Sequence, residues 1–329
     1  MKKVELLYLS QEDIISLKID WDTIIKQVEL ANSEQALGTL ECPPKRGIHT
    51  RPDCFIHEMP VYLKKMDACG IKWVSGYPNN FKQDLPQITG VQVMNDPETG
   101  LPLCIMDCRW ITGVRTAAAS AITMKYCARH DAKKIAIIGA GVQGRMHLLA
   151  IKHVLPSIEE CHIYDIRSES ADYFVKIMSE KTGCKVIPFD SVAETVKNVD
   201  IIVTCTQKLH EPIIPVEAFK PGMVGAGLEA GRAWPAELLH GVDKVITDDL
   251  DQTTSYTTPG TFPGGMPDFY CQLGELINGT KVGRENMEER ILALNLGFAA
   301  EDIALGQLVY EIAKKKKIGR ILPLMEAEI

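Results

Sequence analysis

The chain has 329 residues, 46% of them hydrophobic and 24% charged, with a net charge of −7. That length suggests about two domains and ample buried core, which excludes a disordered chain and a small stapled scaffold. The acidic balance argues against a nucleic-acid or anionic-membrane partner.

Met1-Lys2-Lys3 is followed by Val4-Glu5-Leu6-Leu7-Tyr8, too short and too soon polar for a secretory signal. The first 40 residues read as helical. Ser10 with Asp13 forms a capping-box pattern ahead of Ile14, Ile15 and Leu17. A second helix is predicted over 20–37, with Ile24, Ile25, Val28 and Ala31 on one face and Gly38 as its stop. From about 42 to 113, short apolar stretches alternate with turn chemistry (Pro43-Pro44, Asn79-Asn80, Asp96 to Gly100), and 101–106 reads as a strand. That is the pattern of an α+β domain with a mainly antiparallel sheet.

An alanine-rich helix is predicted over 112–128, and then the rhythm changes. Predicted strands at 135–138, 161–164, 186–187, 201–203, 223–228 and 244–247 alternate, in their first four, with helices at 142–155, 168–181 and 191–197. Strands alternating with helices of this length mean βαβ units and a parallel sheet. An amphipathic helix over 299–317 closes the series, and its return to the first domain would make that domain discontinuous. Lys314 to Lys317 read as the solvated end of that helix, where cations suit the dipole. The expected fold class is therefore α/β: a Rossmann-type doubly wound parallel sheet over 119–302, plus a discontinuous α+β domain over 1–118 with 303–329.

No apolar run approaches the ~20 residues that span a bilayer. The ten cysteines are scattered without a CxxC pair, and the eight histidines form neither HxxxH nor HExxH. No metal site is expected. The thiols read as reduced and mostly buried, which points to a cytoplasmic protein.

The strongest motif is Gly139-Ala140-Gly141-Val142-Gln143-Gly144. It closes a four-residue apolar strand and opens a helix, the context that gives GxGxxG its specificity. The first glycine permits a tight turn, the second lets backbone approach a pyrophosphate, and the third lets helix and strand pack closely. The pyrophosphate would sit against free N–H groups at a helix N-terminus. Asp165 ends the next predicted strand, somewhat beyond the usual ~20 residues, where a carboxylate accepts from ribose hydroxyls and repels a 2′-phosphate. NAD is favoured. Arg167 and Ser168 keep NADP open, since such residues hold a 2′-phosphate. Thr204-Cys205-Thr206 ends the fourth strand, at the sheet edge expected to receive the nicotinamide, or simply makes a small-residue turn.

A small-acid substrate needs a fixed carboxylate, and arginine holds one best. Candidates are Arg46, Arg51, Arg109 and Arg115, with Lys72 inside the apolar stretch Ile71-Lys72-Trp73-Val74. Burial and neighbouring arginines would lower the lysine pKa and suit it to acid/base catalysis. The other reading is a lysine that snorkels to solvent from a strand.

Met59-Pro60, the run from Ile71 to Pro78, Asp96 to Gly100, Met106-Asp107 and Ile111 to Ala118 follow in order, then the glycine fingerprint and Leu296 to Asp302. This series resembles the ornithine cyclodeaminase/mu-crystallin family over nearly the whole chain. The resemblance implies an NAD(P)-linked enzyme acting on a small amino, imino or oxo acid, and a homodimer built through the non-Rossmann domain. It makes Arg46 and Arg115 the clamp for the substrate carboxylate and places Lys72 beside the reacting nitrogen. It also marks Gly297, ahead of the last helix, as a cofactor contact. The expected activity is an amino-acid dehydrogenase or imine (ketimine) reductase. The alternatives are a cyclodeaminase that regenerates its NAD each turnover and a crystallin-like binding protein.

The departures from the family lie in two places. In Gly225 to Arg232, Gly231 stands where cyclodeaminases carry an aspartate, and Glu229 where glycine is usual. Glu229 is a candidate catalytic carboxylate or a supporting residue. His57 stands where cyclodeaminases have a glutamate for the distal amine, so ornithine cyclisation is disfavoured. The Pro- and Gly-rich segment 257–268 reads either as a lid or as an inert surface loop.

Overall fold

A computed structural model of the chain describes residues 3–207, 209–255 and 258–325. The elements in chain order begin with β1 (Val4–Leu9), α1 (Gln11–Ser16), α2 (Trp21–Ala36), β2 (Leu40–Glu41), β3 (Arg46–Ile48), β4 (Phe55–Leu63), β5 (Ala68–Gly76), β6 (Ile88–Asn95), β7 (Pro102–Asp107) and α3 (Arg109–Cys127). Next come β8 (Lys134–Ile138), α4 (Val142–Val154), β9 (Glu160–Tyr164), α5 (Ser168–Thr182), β10 (Lys185–Pro188), α6 (Val192–Thr195), β11 (Ile201–Thr204) and β12 (Val224–Gly227). The chain continues through α7 (Ala236–Leu239), β13 (Lys244–Thr247), α8 (Leu250–Ser255), β14 (Cys271–Gln272), α9 (Leu273–Ile277) and β15 (Ile291–Ala293), and ends in α10 (Ala299–Lys316) and β16 (Arg320–Met325). Two compact units result: Met1–Arg115 with Phe298–Ile329, and Thr116–Gly297. The first division falls inside α3 and the second just before α10.

The first unit is built on a mixed sheet ordered β16-β1-β7-β6-β5-β4-β2, with β3 also on β4. Only β1 and β7 pair in parallel. The expected all-helical opening is corrected here, because β1 precedes the helices. Its doublet Leu6-Leu7, both buried, hides the period of two that marks a strand. Ser10 does cap α1, accepting from the Asp13 amide at 3.2 Å, while Asp13 accepts from the Ser10 amide at 2.9 Å. α10 packs on α2, β4, β5 and β6. Its first half is buried all round, and at Gly306 a Cβ would stand only 1.7 Å from Gln92 Nε2. Glycine there lets the helix pack on β6 without displacing the Gln92 amide from its bond to the Asp302 carbonyl. Along β5 the alternation is plain: Lys72 and Val74 are buried, and Trp73 between them is exposed.

In the second unit, eight parallel strands run β10-β9-β8-β11-β12-β15-β13-β14. The order reverses beside β8, as in a doubly wound Rossmann sheet. Ile135, Ile137, Ile138, Ile201, Ile202 and Val203 fill its centre, each stabilising the fold by about 1.5–3 kcal/mol on burial. Trp234 is wholly buried and packs edge-on against Phe219 with ring centres 5.4 Å apart.

All ten cysteines are free thiols. Among the described residues, no helix is long and apolar enough to cross a membrane, and no group of three potential metal ligands occurs.

Candidate active site

The glycine fingerprint joins β8 to α4. Gly139 has φ 112°, a conformation that side chains resist, and a Cβ there would stand 2.5 Å from the Cys205 carbonyl oxygen. A Cβ on Gly144 would meet the Gly139 carbonyl oxygen at 2.1 Å, so helix and strand could not close. Gly141 differs from both. A Cβ there meets nothing within 4 Å, and this residue is the N-cap of α4 without a side-chain cap. Open space over uncapped amide groups is where a phosphate fits. Val142 is exposed beside it, and the Gln143 carbonyl is bonded to His147 Nδ1 at 2.8 Å. The loop thus fits a dinucleotide pyrophosphate.

Asp165 directly follows β9 and ties this loop down. Its Oδ2 accepts from the Ala140 amide at 2.8 Å and its Oδ1 from the Arg167 amide at 3.0 Å. The Arg167 side chain is exposed and lies 3.9 Å from Asp165 Oδ1. Arg145, which the sequence reading passed over, reaches back to the Ala140 carbonyl at 2.9 Å and stacks over Tyr173. Its signal was a cation in the first turn of a fingerprint helix. The Gly297 amide is committed to Asp248 Oδ2 at 2.5 Å, and Leu296 bonds Asp248 Oδ1 at 3.1 Å. Asp248 was also missed, for it lies far from Gly297 in sequence.

At the carboxyl edge of the same sheet, Thr204 ends β11 and its hydroxyl reaches the Ala226 carbonyl at 3.4 Å. Thr206 follows two residues on. Glu229 stands just past β12, its carboxyl pushed up to about 7 by burial, against hydrogen bonding from Thr204, Thr206 and its own amide. Of the segment 257–268, Thr257 lies outside the described residues. Thr258, Pro259 and Thr261 are held by the Arg232 guanidinium, with Thr258 Oγ1 at 2.7 Å and Thr261 Oγ1 at 2.9 Å.

In the first unit, Lys72 is 1% exposed and its Nζ donates to Asp302 Oδ2 at 2.5 Å. Arg115 Nε donates to Asp302 Oδ1 at 3.2 Å, and its Nη1 to Glu301 Oε2 at 2.9 Å. Asn32 Nδ2 donates to Glu301 Oε1 at 3.1 Å, and Gln92 Nε2 to the Asp302 carbonyl at 2.9 Å. Two cations and two anions are thus buried together. Burial draws Lys72 below the ordinary lysine range; Asp302 pulls it back up and Arg115 adds to the fall. Lys72 is a sheltered ion-pair lysine rather than a snorkelling one.

Arg46 stands apart from this cluster. It is exposed on β3, and its register partner is Glu58, which pairs in turn with Trp73. Lys72 pairs with Met59, one step out of phase and on the buried face. Arg109 opens α3, where its amide donates to Asp107 at 2.9 Å, and exposed Arg51 donates to the Thr50 carbonyl. His57 shares the alternation of Met59. Its ring stacks on Phe55 with centres 4.2 Å apart, and it is held down to about 4 by burial and by the charges of Lys45, His49 and Lys72.

Residues 5–317 match the ornithine cyclodeaminase/mu-crystallin family. The chain belongs to that family. It is 33% identical to a Rhizobium meliloti protein named nodulation efficiency protein NfeD, over 96% of this chain and 98% of that one. It is likewise 33% identical to the alanine dehydrogenase of Archaeoglobus fulgidus, over the same shares. It superposes on Thermococcus litoralis Delta(1)-pyrroline-2-carboxylate reductase, solved with NADH and L-proline, with a TM-score of 0.87 and 32% identity, covering 96% of this chain and 99% of that one. For a member of this family, the partners of Lys72 and Arg115 were the hardest features to foresee. Glu301 and Asp302 follow the Leu296 to Ala300 stretch that carries the resemblance, yet nothing local shows that α10 folds back over β5.

Proposed function

We propose that the chain is an NAD-dependent amino-acid dehydrogenase or imine reductase that reduces a small 2-imino acid, itself formed from a 2-oxo acid and an amine. One observation carries this reading: a buried lysine held by a buried carboxylate beside a buried arginine. Among the described residues, Lys72 Nζ has Asp302 as its one hydrogen-bond acceptor, which leaves N–H groups to direct at a substrate nitrogen. Its lowered pKa makes it a better proton donor to that nitrogen. Arg115, braced by Glu301 and Asp302, presents positive charge to the substrate carboxylate, and Arg46 is the second arm of that clamp. The fingerprint loop with Gly139, Gly141, Val142, Gln143 and Gly144 holds the pyrophosphate. Asp165 and Arg167 meet the adenosine ribose, and Thr204, Thr206 and Gly297 line the nicotinamide side. When bound, the reduced cofactor supplies hydride to the imine carbon.

The reading favours a reductase over a diamine cyclodeaminase because of His57. A neutral ring among the charges of Lys45, His49 and Lys72 offers no anion to a distal ammonium group. A cytoplasmic location accords with ten unbridged thiols. A homodimer accords with the outward sheet face, where Tyr8, Trp73 and Val91 are exposed. The test is a panel of 2-oxo acids with ammonia, methylamine or amino acids, followed by NADH consumption. Ammonia release from ornithine without net redox change would replace this reading with the cyclodeaminase.

A further inference from the structure

Glu229 is the unexplained acid of the second unit. It lies two residues beyond β12, beside the end of β11. Both carboxylate oxygens are closed off from solvent, and neither has a hydrogen-bond partner of good geometry among the described residues. Ala230, which follows, is held at φ 60°, an unusual conformation for a residue with a Cβ, and it is itself buried. A buried carboxyl approached only by hydroxyl and amide groups, with no counter-charge beside it, is costly, and natural structures keep such groups for a reason.

Its neighbours give the reason. The Cys205 thiol is raised well above its usual range by burial and by the charge of Glu229. The carbonyl of that same Cys205 closes over Gly139, the first glycine of the fingerprint. Glu229 and the phosphate loop thus flank one residue at the end of β11. That is the point where the strand order reverses, and sheets of this kind bind ligand in the crevice there.

We propose that the Glu229 carboxylate sets the relative affinity of the site for oxidised and reduced dinucleotide, acting as a positioning residue by its charge rather than by contact. The proposal rests on the dinucleotide reading above. The oxidised nicotinamide ring is a cation, and the reduced ring is neutral. An anion held in a low dielectric attracts the first and is indifferent to the second. A linked consequence follows. Where Glu229 is partly protonated, binding of the cation ionises it, and a proton leaves. The groups around it do not blur that signal. At and just past the end of β11 they are the hydroxyls of Thr204 and Thr206 and the Cys205 thiol; in its own loop Arg232 is turned to Thr258, Pro259 and Thr261. The glycines of the phosphate loop bring no titratable group.

The test compares wild type with Glu229→Gln, which keeps size and removes charge. NADH affinity is read by fluorescence titration and NAD affinity by displacement, slightly above neutral pH. ADP-ribose, which lacks the nicotinamide, reports the fold and the phosphate loop. The expected result is about tenfold weaker NAD binding in the variant, with NADH and ADP-ribose unchanged; that factor corresponds to about 1.4 kcal/mol. Calorimetry at neutral pH in buffers of differing ionisation enthalpy should show proton release on NAD binding to wild type and none in the variant. An unchanged NAD to NADH ratio, with ADP-ribose still bound, overturns the role of Glu229 and leaves the dinucleotide reading standing. Wild-type protein that binds none of the three ligands overturns the dinucleotide reading itself.

Discussion

In the first unit, four charged side chains leave water together, and each finds another: Lys72 and Arg115 share Asp302, and Arg115 also holds Glu301. In the second unit, the carboxyl of Glu229 is buried without such company, and open space lies over Gly141, two residues on from the Gly139 that abuts the Cys205 carbonyl. The two arrangements serve different ends. A closed ionic cluster holds its members rigid, which suits the substrate-facing role proposed for Lys72 and Arg115. A buried carboxyl without a counter-charge leaves its charge to act on a ligand.

Breaking the closed cluster should have the largest effect. Lys72→Met leaves Asp302 buried with half its compensation gone, and about 3 kcal/mol of stability should be lost in a urea titration, along with activity. Replacing Asp302 by leucine in the same chain should recover part of that stability and none of the activity. If Lys72→Met unfolds no more easily than wild type, the cluster is not holding the unit.

The glycine loop sharpens the comparison, because two neighbouring glycines should behave differently. Gly144→Ala drives a methyl into the Gly139 carbonyl and should lower the melting temperature. Gly141→Ala meets no protein atom, so the melting temperature should hold within about 1 kcal/mol of stability while dinucleotide affinity falls about tenfold or more.

Glu229 should write itself into the pH dependence of stability. Its folded value of about 7 lies above the ordinary 4.5, so between those limits the native state holds more protons than the unfolded chain. Stability should therefore decline as pH rises across that window, and the decline should be shallower in Glu229→Gln. Equal slopes in urea titrations of the two proteins would mean that the carboxyl is not perturbed.

Arg46 should matter least to the fold. Its exposed place on β3 predicts that Arg46→Ala changes stability by under about 0.5 kcal/mol. If it clamps a substrate carboxylate, KM should rise at least tenfold with kcat little changed. An unchanged KM would remove Arg46 from the site.

What could be read from the sequence was what is local. Strand, fingerprint and helix fall within one short stretch from Lys134 to Val154, and the Ser10–Asp13 box spans one turn. What could not be read was what depends on long returns of the chain. Lys72 meets its acid 230 residues away, through the packing of α10 on β5. No periodicity announces such a contact. Strand β1 was obscured by its apolar doublet, and β14 and β15 by their two and three residues. Glu229 showed in the sequence only as a departure from a pattern; its isolation came from the fold.

The central claim is that the chain consumes reduced nicotinamide to convert an imino acid to an amino acid. The decisive measurement is NADH absorbance in the presence of 2-oxo acids and amines, with the amino-acid product quantified alongside. The account predicts one NADH consumed per amino acid formed, with the rate abolished in Lys72→Met. Product formed with no net change in NADH, or a Lys72→Met variant that turns over at the wild-type rate, would contradict it.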